Sequence, residues 1–324
     1  MDDITDAQPA TSGTDTSDRM VDRTGIGTRT GVDDVISASG LGFSYGDFTA
    51  VDGLDLTVRR GELYALLGTN GAGKTTTLEV LEGHRRPTAG TVEVLGGDPA
   101  DRARTRHRVG ITLQDSGLAA ELTVRESVLL SGAVSGRDAD VDALLERVGI
   151  AAKSRTRVAQ LSGGEKRRVD FAMAVWGTPE LVFLDEPTTG LDPSARDELW
   201  AVVRDLRDEG VTFLLTTHYL EEAERHADRI GLMHRGTLRR EGTIADLTAG
   251  STTTIRFVSP VAVDELPLPV SGTENGLVVV TTTDAQRDVA ALLAWAEENG
   301  RRLDRFSTHE SGLDDVFRAL SRDA

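Results

Sequence analysis

Residues 63–77, LYALLGTNGAGKTTT, join a short apolar run to a glycine-rich turn that ends in a lysine and three threonines. The run Leu63–Leu67, bounded by Gly61 and Gly68, predicts a buried strand. Gly68–Thr75 completes the phosphate-loop pattern GxxxxGK[ST]. Glycines let backbone N–H groups turn inward around phosphate oxygens, and the start of the following helix adds partial positive charge. Lys74 then reaches the β- and γ-phosphates and Thr75 can ligate Mg2+. A turn that matched by accident would lack the strand before it and the helix start after it, and both are present.

Outward from this loop, apolar runs recur at Val109–Leu113, Leu181–Leu184 and Thr212–Thr216, separated by helix-length stretches. That alternation predicts an α/β fold with a mostly parallel sheet around the phosphate loop. On the N-terminal side, Leu54, Leu56 and Val58 alternate with polar residues, which predicts an antiparallel β part. Residues 121–157 read as helical, with Leu129, Leu130, Val141, Leu144, Leu145 and Val148 on apolar faces. After Gly242, residues 253–258, 277–282 and 302–307 look like strands and 284–299 and 311–321 like helices. The predicted organisation is a disordered acidic tail over 1–35 and a nucleotide-binding domain over 36–245. The latter holds a helical insert at about 115–158, and a small α+β accessory domain follows over 246–324.

A nucleoside triphosphate site also needs a carboxylate for the metal and a group to position the attacking water. Leu181-Val-Phe-Leu-Asp185-Glu186 offers both at the end of an apolar strand: Asp185 for the Mg2+ shell and Glu186 to polarise water. Alone, such a pair is usually an ordinary strand end. With the phosphate loop in the same chain, the functional reading prevails.

Composition bounds the partners. The 324 residues carry 53 Asp and Glu against 36 Lys and Arg, a net charge of −17. A surface so acidic excludes nucleic acid as the default partner, because duplex binding rests on neutralising phosphates with Lys and Arg. The first 35 residues account for −5 of the charge, so the acidity is spread along the chain. There is no cysteine, hence no disulfide framework, and no apolar run approaches the ~18–20 residues needed to cross a bilayer. The N-terminal MDDITDAQPATSG shows neither the basic start nor the apolar stretch of a secretory signal.

The string that separates phosphate-loop families is Leu161-Ser162-Gly163-Gly164-Glu165, followed by KRRVDFAMAVWGTPELVFLDEPTTGLDP. Ser before Gly-Gly is also a good helix N-cap. Set between the two nucleotide motifs, however, the string resembles the signature of ATP-binding cassette (ABC) ATPases, with Glu165 in place of the usual glutamine. The resemblance covers about residues 36–245 and rests on six motifs in order.

The resemblance implies that Asn70, Gly71, Ala72, Gly73, Lys74, Thr75 and Thr76 bind ATP phosphates. It implies that Ser162, Gly163 and Gly164 bind the γ-phosphate of ATP held by a second copy. Tyr45, in FSYGDFTAVDGL, matches the aromatic that stacks on adenine. Gln114, in GITLQDSGL, matches a glutamine that touches Mg2+ and water and couples to the insert. Asp192, in TTGLDP, matches the aspartate that communicates between sites, and His218, in LLTTHYLEEAERHADRI, the histidine on the γ-phosphate. Thr69 replaces a more usual proline at a position that contributes backbone. His226 and His234 match nothing and read as surface residues.

Lys74 and Ser162 are too close in sequence for a long coiled coil between them, which excludes the chromosome-maintenance relatives. The stretches 167–193 and 216–243 look like daunorubicin-resistance-type exporters, whose cassette and permease are separate chains. The end HESGLDDVFRAL resembles the end of these ATPases, and is equally an amphipathic helix, with Leu313, Val316, Phe317 and Leu320 in step, that packs on its own domain. The implied function is the ATP-hydrolysing subunit of a drug exporter. Such a subunit acts as an ATP-sandwich homodimer with Mg2+, on the cytoplasmic side of the membrane, through a separately encoded multi-span permease. A lipid or polysaccharide exporter and a regulatory ATPase without cargo are the alternatives.

Overall fold

The computed structural model describes residues 34–112, 117–249, 252–310 and 312–322. The predicted tail lies outside these, except that Asp34 and Val35 already belong to the first strand, with Val35 buried. Gln114 also lies outside the described residues.

The chain opens with the hairpin β1 (Asp34–Tyr45) and β2 (Phe48–Arg59), then β3 (Leu63–Gly68) and α1 (Lys74–Leu81). Next come β4 (Ala89–Val94), the short α2 (Arg102–Thr105) and β5 (Val109–Thr112). The insert supplies α3 (Val124–Ser135) and α4 (Val141–Arg147) before α5 (Gly163–Val175), β6 (Leu181–Asp185) and α6 (Pro193–Asp208). β7 (Thr212–Thr217), α7 (Leu220–His226), β8 (Arg229–His234), β9 (Thr237–Gly242) and α8 (Ile244–Thr248) follow. The remainder is β10 (Thr253–Val258), β11 (Gly272–Glu274), β12 (Leu277–Thr282), α9 (Ala285–Glu298), β13 (Asp304–Glu310) and α10 (Leu313–Arg322).

Six strands form one sheet in the order β5-β6-β7-β3-β8-β9, parallel except for the antiparallel β8–β9 pair. Every residue of β3, β6 and β7 is buried, as expected of parallel strands covered on both faces. Side chains alternate between the faces. Leu63, Ala65, Leu67, Val182, Leu184, Phe213 and Leu215 enter a core shared with α3 and α5–α7, while Tyr64, Leu66, Leu181, Phe183 and Leu214 face α1 and the antiparallel β2-β1-β4 sheet.

The C-terminal strands make a separate antiparallel sheet, β11-β12-β10-β13, with Ile255, Phe257, Val278, Val280 and, from α9, Leu292 as its core. The last helix goes elsewhere. Leu313 is fully buried in the core of the six-stranded sheet, with Val316, Phe317 and Leu320 packed against it. An amphipathic pattern fixes that a helix has an apolar face but not which surface the face meets, so the expectation that α10 packs on its own domain fails. Among the described residues no helix is long and apolar enough to cross a membrane.

Candidate functional site

Ligands of open α/β sheets gather at the carboxyl ends of the strands. Here β3 runs between β7 and β8, and β6 lies on the far side of β7. The carboxyl ends of β3, β6 and β7 therefore deliver the phosphate loop, Asp185–Glu186 and His218 to one edge, with Leu67 opposite Thr217 and Asp185 opposite Thr216.

The loop after β3 needs its glycines for space. Gly73 sits at φ 102 as the N-cap of α1, and a Cβ there would lie 2.5 Å from the Ala50 carbonyl oxygen. A Cβ on Gly68 would lie 2.7 Å from the Met233 carbonyl oxygen. Lys74 is buried, and its Nζ donates to the carbonyls of Gly68 (2.8 Å) and Thr69 (3.3 Å). Burial lowers its pKa, against the carboxylates of Glu186 and Asp185, which pull the other way. Asn70, Gly71 and Thr75 are exposed on the loop. The Tyr45 hydroxyl donates to Glu79 Oε2 at 3.2 Å and lies 3.4 Å from Thr76 Oγ1, so the ring is held beside the loop by α1. Phe43 packs edge-on at 5.0 Å and the Arg85 guanidinium stacks at 4.9 Å from the Tyr45 ring centroid.

Asp185 is buried, and desolvation raises its pKa, with the Glu186 charge adding to the rise. The Thr216 hydroxyl donates to its Oδ1. Glu186 has a left-handed backbone, φ 46, unusual for a residue with a side chain. Its Oε1 lies 3.0 Å from His218 Nδ1, and the Thr189 hydroxyl lies 3.4 Å from its Oε2. Hard oxygen donors suit Mg2+, so the Thr75 hydroxyl and the Asp185 carboxylate beside Lys74 fit such an ion when phosphate oxygens complete its shell.

Two more sequence-predicted residues, Ser162 and Asp192, are helix caps as well. Ser162 caps α5: its Oγ accepts from Glu165 N–H at 3.2 Å, and Glu165 Oε2 accepts from Ser162 N–H at 2.8 Å. That box gives the departure from glutamine a physical reason, because a carboxylate also reaches Lys153 Nζ at 3.1 Å and suits a helix N-terminus. The Ser162 amide and Lys153 together hold the Glu165 pKa below its ordinary value. Ser162 and Gly163 stand exposed, Gly164 less so. Asp192 caps α6 through Ala195 N–H at 2.9 Å. Sequence reading missed Thr216 and Arg167; the latter donates to the carbonyls of Asp185, Glu186 and Pro187. His226 and His234 are half-buried, contrary to the surface reading, and His226 stacks on Trp200 with centroids 4.2 Å apart.

The family described as "ABC transporter" matches residues 51–189. A curated relative, "Daunorubicin resistance ATP-binding protein DrrA3" of Streptomyces coeruleorubidus, is 39% identical over 306 residues, covering 90% of this chain and 97% of the relative. This chain belongs to the ABC transporter ATP-binding proteins. It is an ATPase with the P-loop cassette fold. "Nod factor export ATP-binding protein I" of Paraburkholderia xenovorans is 40% identical over 291 residues, 86% of this chain and 94% of that one. A solved ATP-binding subunit of an ABC transporter superposes with TM-score 0.62 at 28% identity, over 67% of this chain and 92% of the other. The C-terminal sheet of the ABC protein, residues 253–311, matches a family described as "ABC transporter domain-containing protein-like, C-terminal domain".

Proposed function

We propose that the chain is the ATP-hydrolysing subunit of an exporter, energising efflux of drugs or other hydrophobic compounds through a separately encoded multi-span permease. The observation that carries the reading is the convergence of Lys74, Asp185, Glu186 and His218 at one sheet edge, in a chain whose nearly full-length relatives are named for drug resistance and for export. Two copies sandwich two ATP molecules, each held by Asn70–Thr76 of one copy and Ser162–Gly164 of the other, with Tyr45 on the adenine. The exposed amide end of α5 suits a γ-phosphate approaching from outside the chain.

Glu186 orients water and accepts its proton as the oxygen attacks phosphorus, and the bond to ADP breaks in line. His218 fixes the Glu186 carboxylate, and Lys74 offsets the charge on the γ-phosphoryl oxygens. Thr75, Asp185 and Gln114 would hold Mg2+, which would supply further positive charge to the phosphates. Asp192 conveys the state of one site to the other.

The power stroke leaves through the helical insert. Leu118, Leu130 and Val134 line an apolar groove of about 480 Å³ with Arg102 and Arg106 on its wall, and Leu130 and Val134 are largely exposed. In this reading a permease helix covers the groove and the ATPase is peripheral, on the cytoplasmic side of the membrane. The test is purification together with a multi-span membrane protein encoded by a neighbouring gene, followed by ATPase assays with hydrophobic drugs. Stimulation supports export; intact basal hydrolysis that no drug or lipid alters rejects it.

A further inference from the structure

Arg167 lies five residues beyond Ser162 on α5, less than two helical turns from the signature serine. Its side chain is only 9% exposed. Nε donates to the Pro187 carbonyl at 3.0 Å, and Nη2 donates to the carbonyls of Asp185 at 2.6 Å and Glu186 at 2.5 Å. Asp170, on the same helix, approaches Nη1 at 3.6 Å.

Three successive carbonyls can converge on one side chain only if the backbone turns sharply between them. The turn is at Glu186, whose φ of 46 lies where a residue with a Cβ persists only when its surroundings hold it. The neighbouring bonds, Glu186 N–H to the Thr216 carbonyl and Thr189 N–H to the Glu186 carbonyl, fix the loop to β7 and to itself. The Arg167 bonds tie it to the signature helix. A planar fork of donors can serve several carbonyls at once; an ammonium, a compact point charge, serves them less well. Burying a guanidinium is costly unless acceptors meet it, and this one is met by the loop that carries the hydrolytic carboxylate.

We propose that Arg167 is a positioning residue for hydrolysis, which holds the Glu186 backbone and couples it to the α5 N-terminus. The idea rests on the two-site reading above. In that reading Ser162–Gly164 engage the ATP held by the partner's loop, whereas Glu186 acts on the ATP held by its own chain. Arg167 then links the two sites within one polypeptide: engagement of a γ-phosphate at the end of α5 shifts the helix, and the guanidinium carries that shift to the carboxylate.

The experiment compares the full-length wild type with Arg167→Met, Arg167→Lys and Glu186→Gln. Steady-state hydrolysis is measured across ATP concentrations, with binding of a fluorescent ATP analogue and thermal melting. Arg167→Met is expected to lose about tenfold or more in kcat while the analogue's Kd stays within about twofold. The Hill coefficient is expected to fall from above about one to about one, because the sites no longer sense each other. Arg167→Lys should recover part of kcat. Unchanged kcat in folded Arg167→Met overturns the proposal, as does a lowered kcat with wild-type cooperativity, or a matched loss of nucleotide binding that marks a merely structural role. A wild type without cooperativity overturns the coupling. If Arg167→Met does not fold, wild-type kcat and Hill coefficient in Arg167→Lys overturn it instead. Wild-type turnover by Glu186→Gln would sink the underlying assignment of the carboxylate, a result distinct from any outcome at Arg167.

Discussion

His218 Nδ1 lies 3.0 Å from Glu186 Oε1, joining the residue after β7 to the residue after β6. A carboxylate only accepts, so Nδ1 is the donor and Nε2 is the nitrogen left for a substrate. The pair has further support, since His218 packs on the Tyr219 ring at 4.1 Å and the Arg196 guanidinium lies 5.3 Å from the same ring. Neighbouring strands in a parallel sheet thus preset the distance between the two groups before any nucleotide arrives.

Glu186→Gln keeps the hydrogen bond to His218 possible but removes the proton acceptor. Turnover should fall on the order of 10²–10⁴-fold. ATP binding should persist, and the ATP-bound variant should run as a dimer in size-exclusion chromatography. Wild-type ATPase activity in this variant would show that another group activates water.

Lys74→Ala removes the ammonium that the loop carbonyls of Gly68 and Thr69 now hold in place. Because Lys74 is a buried cation beside Asp185 and Glu186, its loss leaves like charges facing the γ-phosphate. Binding of a fluorescent ATP analogue should weaken by about tenfold or more, with hydrolysis undetectable. Unchanged affinity would remove Lys74 from the phosphate site.

The strands and the strand-end residues were legible because their signals are local. Leu63–Leu67, Leu181–Leu184 and Thr212–Thr216 are apolar runs bounded by polar or glycine residues, and each is a fully buried strand at those positions. Asp185 ends such a strand, Glu186 and His218 follow one directly and Lys74 follows one through the phosphate loop, so the parallel order brings them together. Arg167 was illegible because its partners, 18–20 residues away, depend on how α5 lies against the turn after β6. Likewise, nothing in LEEAERHADRI marks His226 as stacked, since its partner Trp200 comes from α6. The destination of α10 was hidden for the same reason.

His226 gives the acid limb of stability a specific contributor. Burial against Trp200, helped by the charges of Arg225, Arg204 and Arg207, lowers its pKa to about 4. Between the unfolded value, about 6.5, and the folded one, the unfolded chain binds the proton and the folded chain does not. Stability from this group is therefore complete above about pH 6.5 and is lost progressively as pH falls toward about 4. Solvent screening at a half-buried ring leaves on the order of 1–2 kcal/mol. His226→Phe, which keeps the stack, should lose less melting temperature than wild type between pH 7 and 4.5. Parallel losses in the two proteins would assign the acid sensitivity elsewhere.

Leu313 tests whether the end of the chain is an appendage or part of the ATPase. Its side chain is fully buried in the core that also contains Leu63, Val182 and Phe213, and its N–H donates to Glu224 Oε1 of α7 at 3.1 Å. Truncating a buried leucine removes its transfer free energy and leaves a cavity, a cost of about 2–5 kcal/mol. An appendage would confine that cost to the C-terminal sheet, whose core is Ile255, Phe257, Val278, Val280 and Leu292. The packing of α10 instead assigns the cost to the domain that binds nucleotide. Leu313→Ala should therefore lower the melting transition that ATP protects, whereas Leu292→Ala should leave that transition in place. Equal ATP-protected melting in wild type and Leu313→Ala would mean that α10 adds nothing to the cassette. Glu224, which accepts from the Leu313 N–H, lines one pocket with His218, Gly312 and Asp314, so a loosened α10 should also raise the KM for ATP before kcat falls.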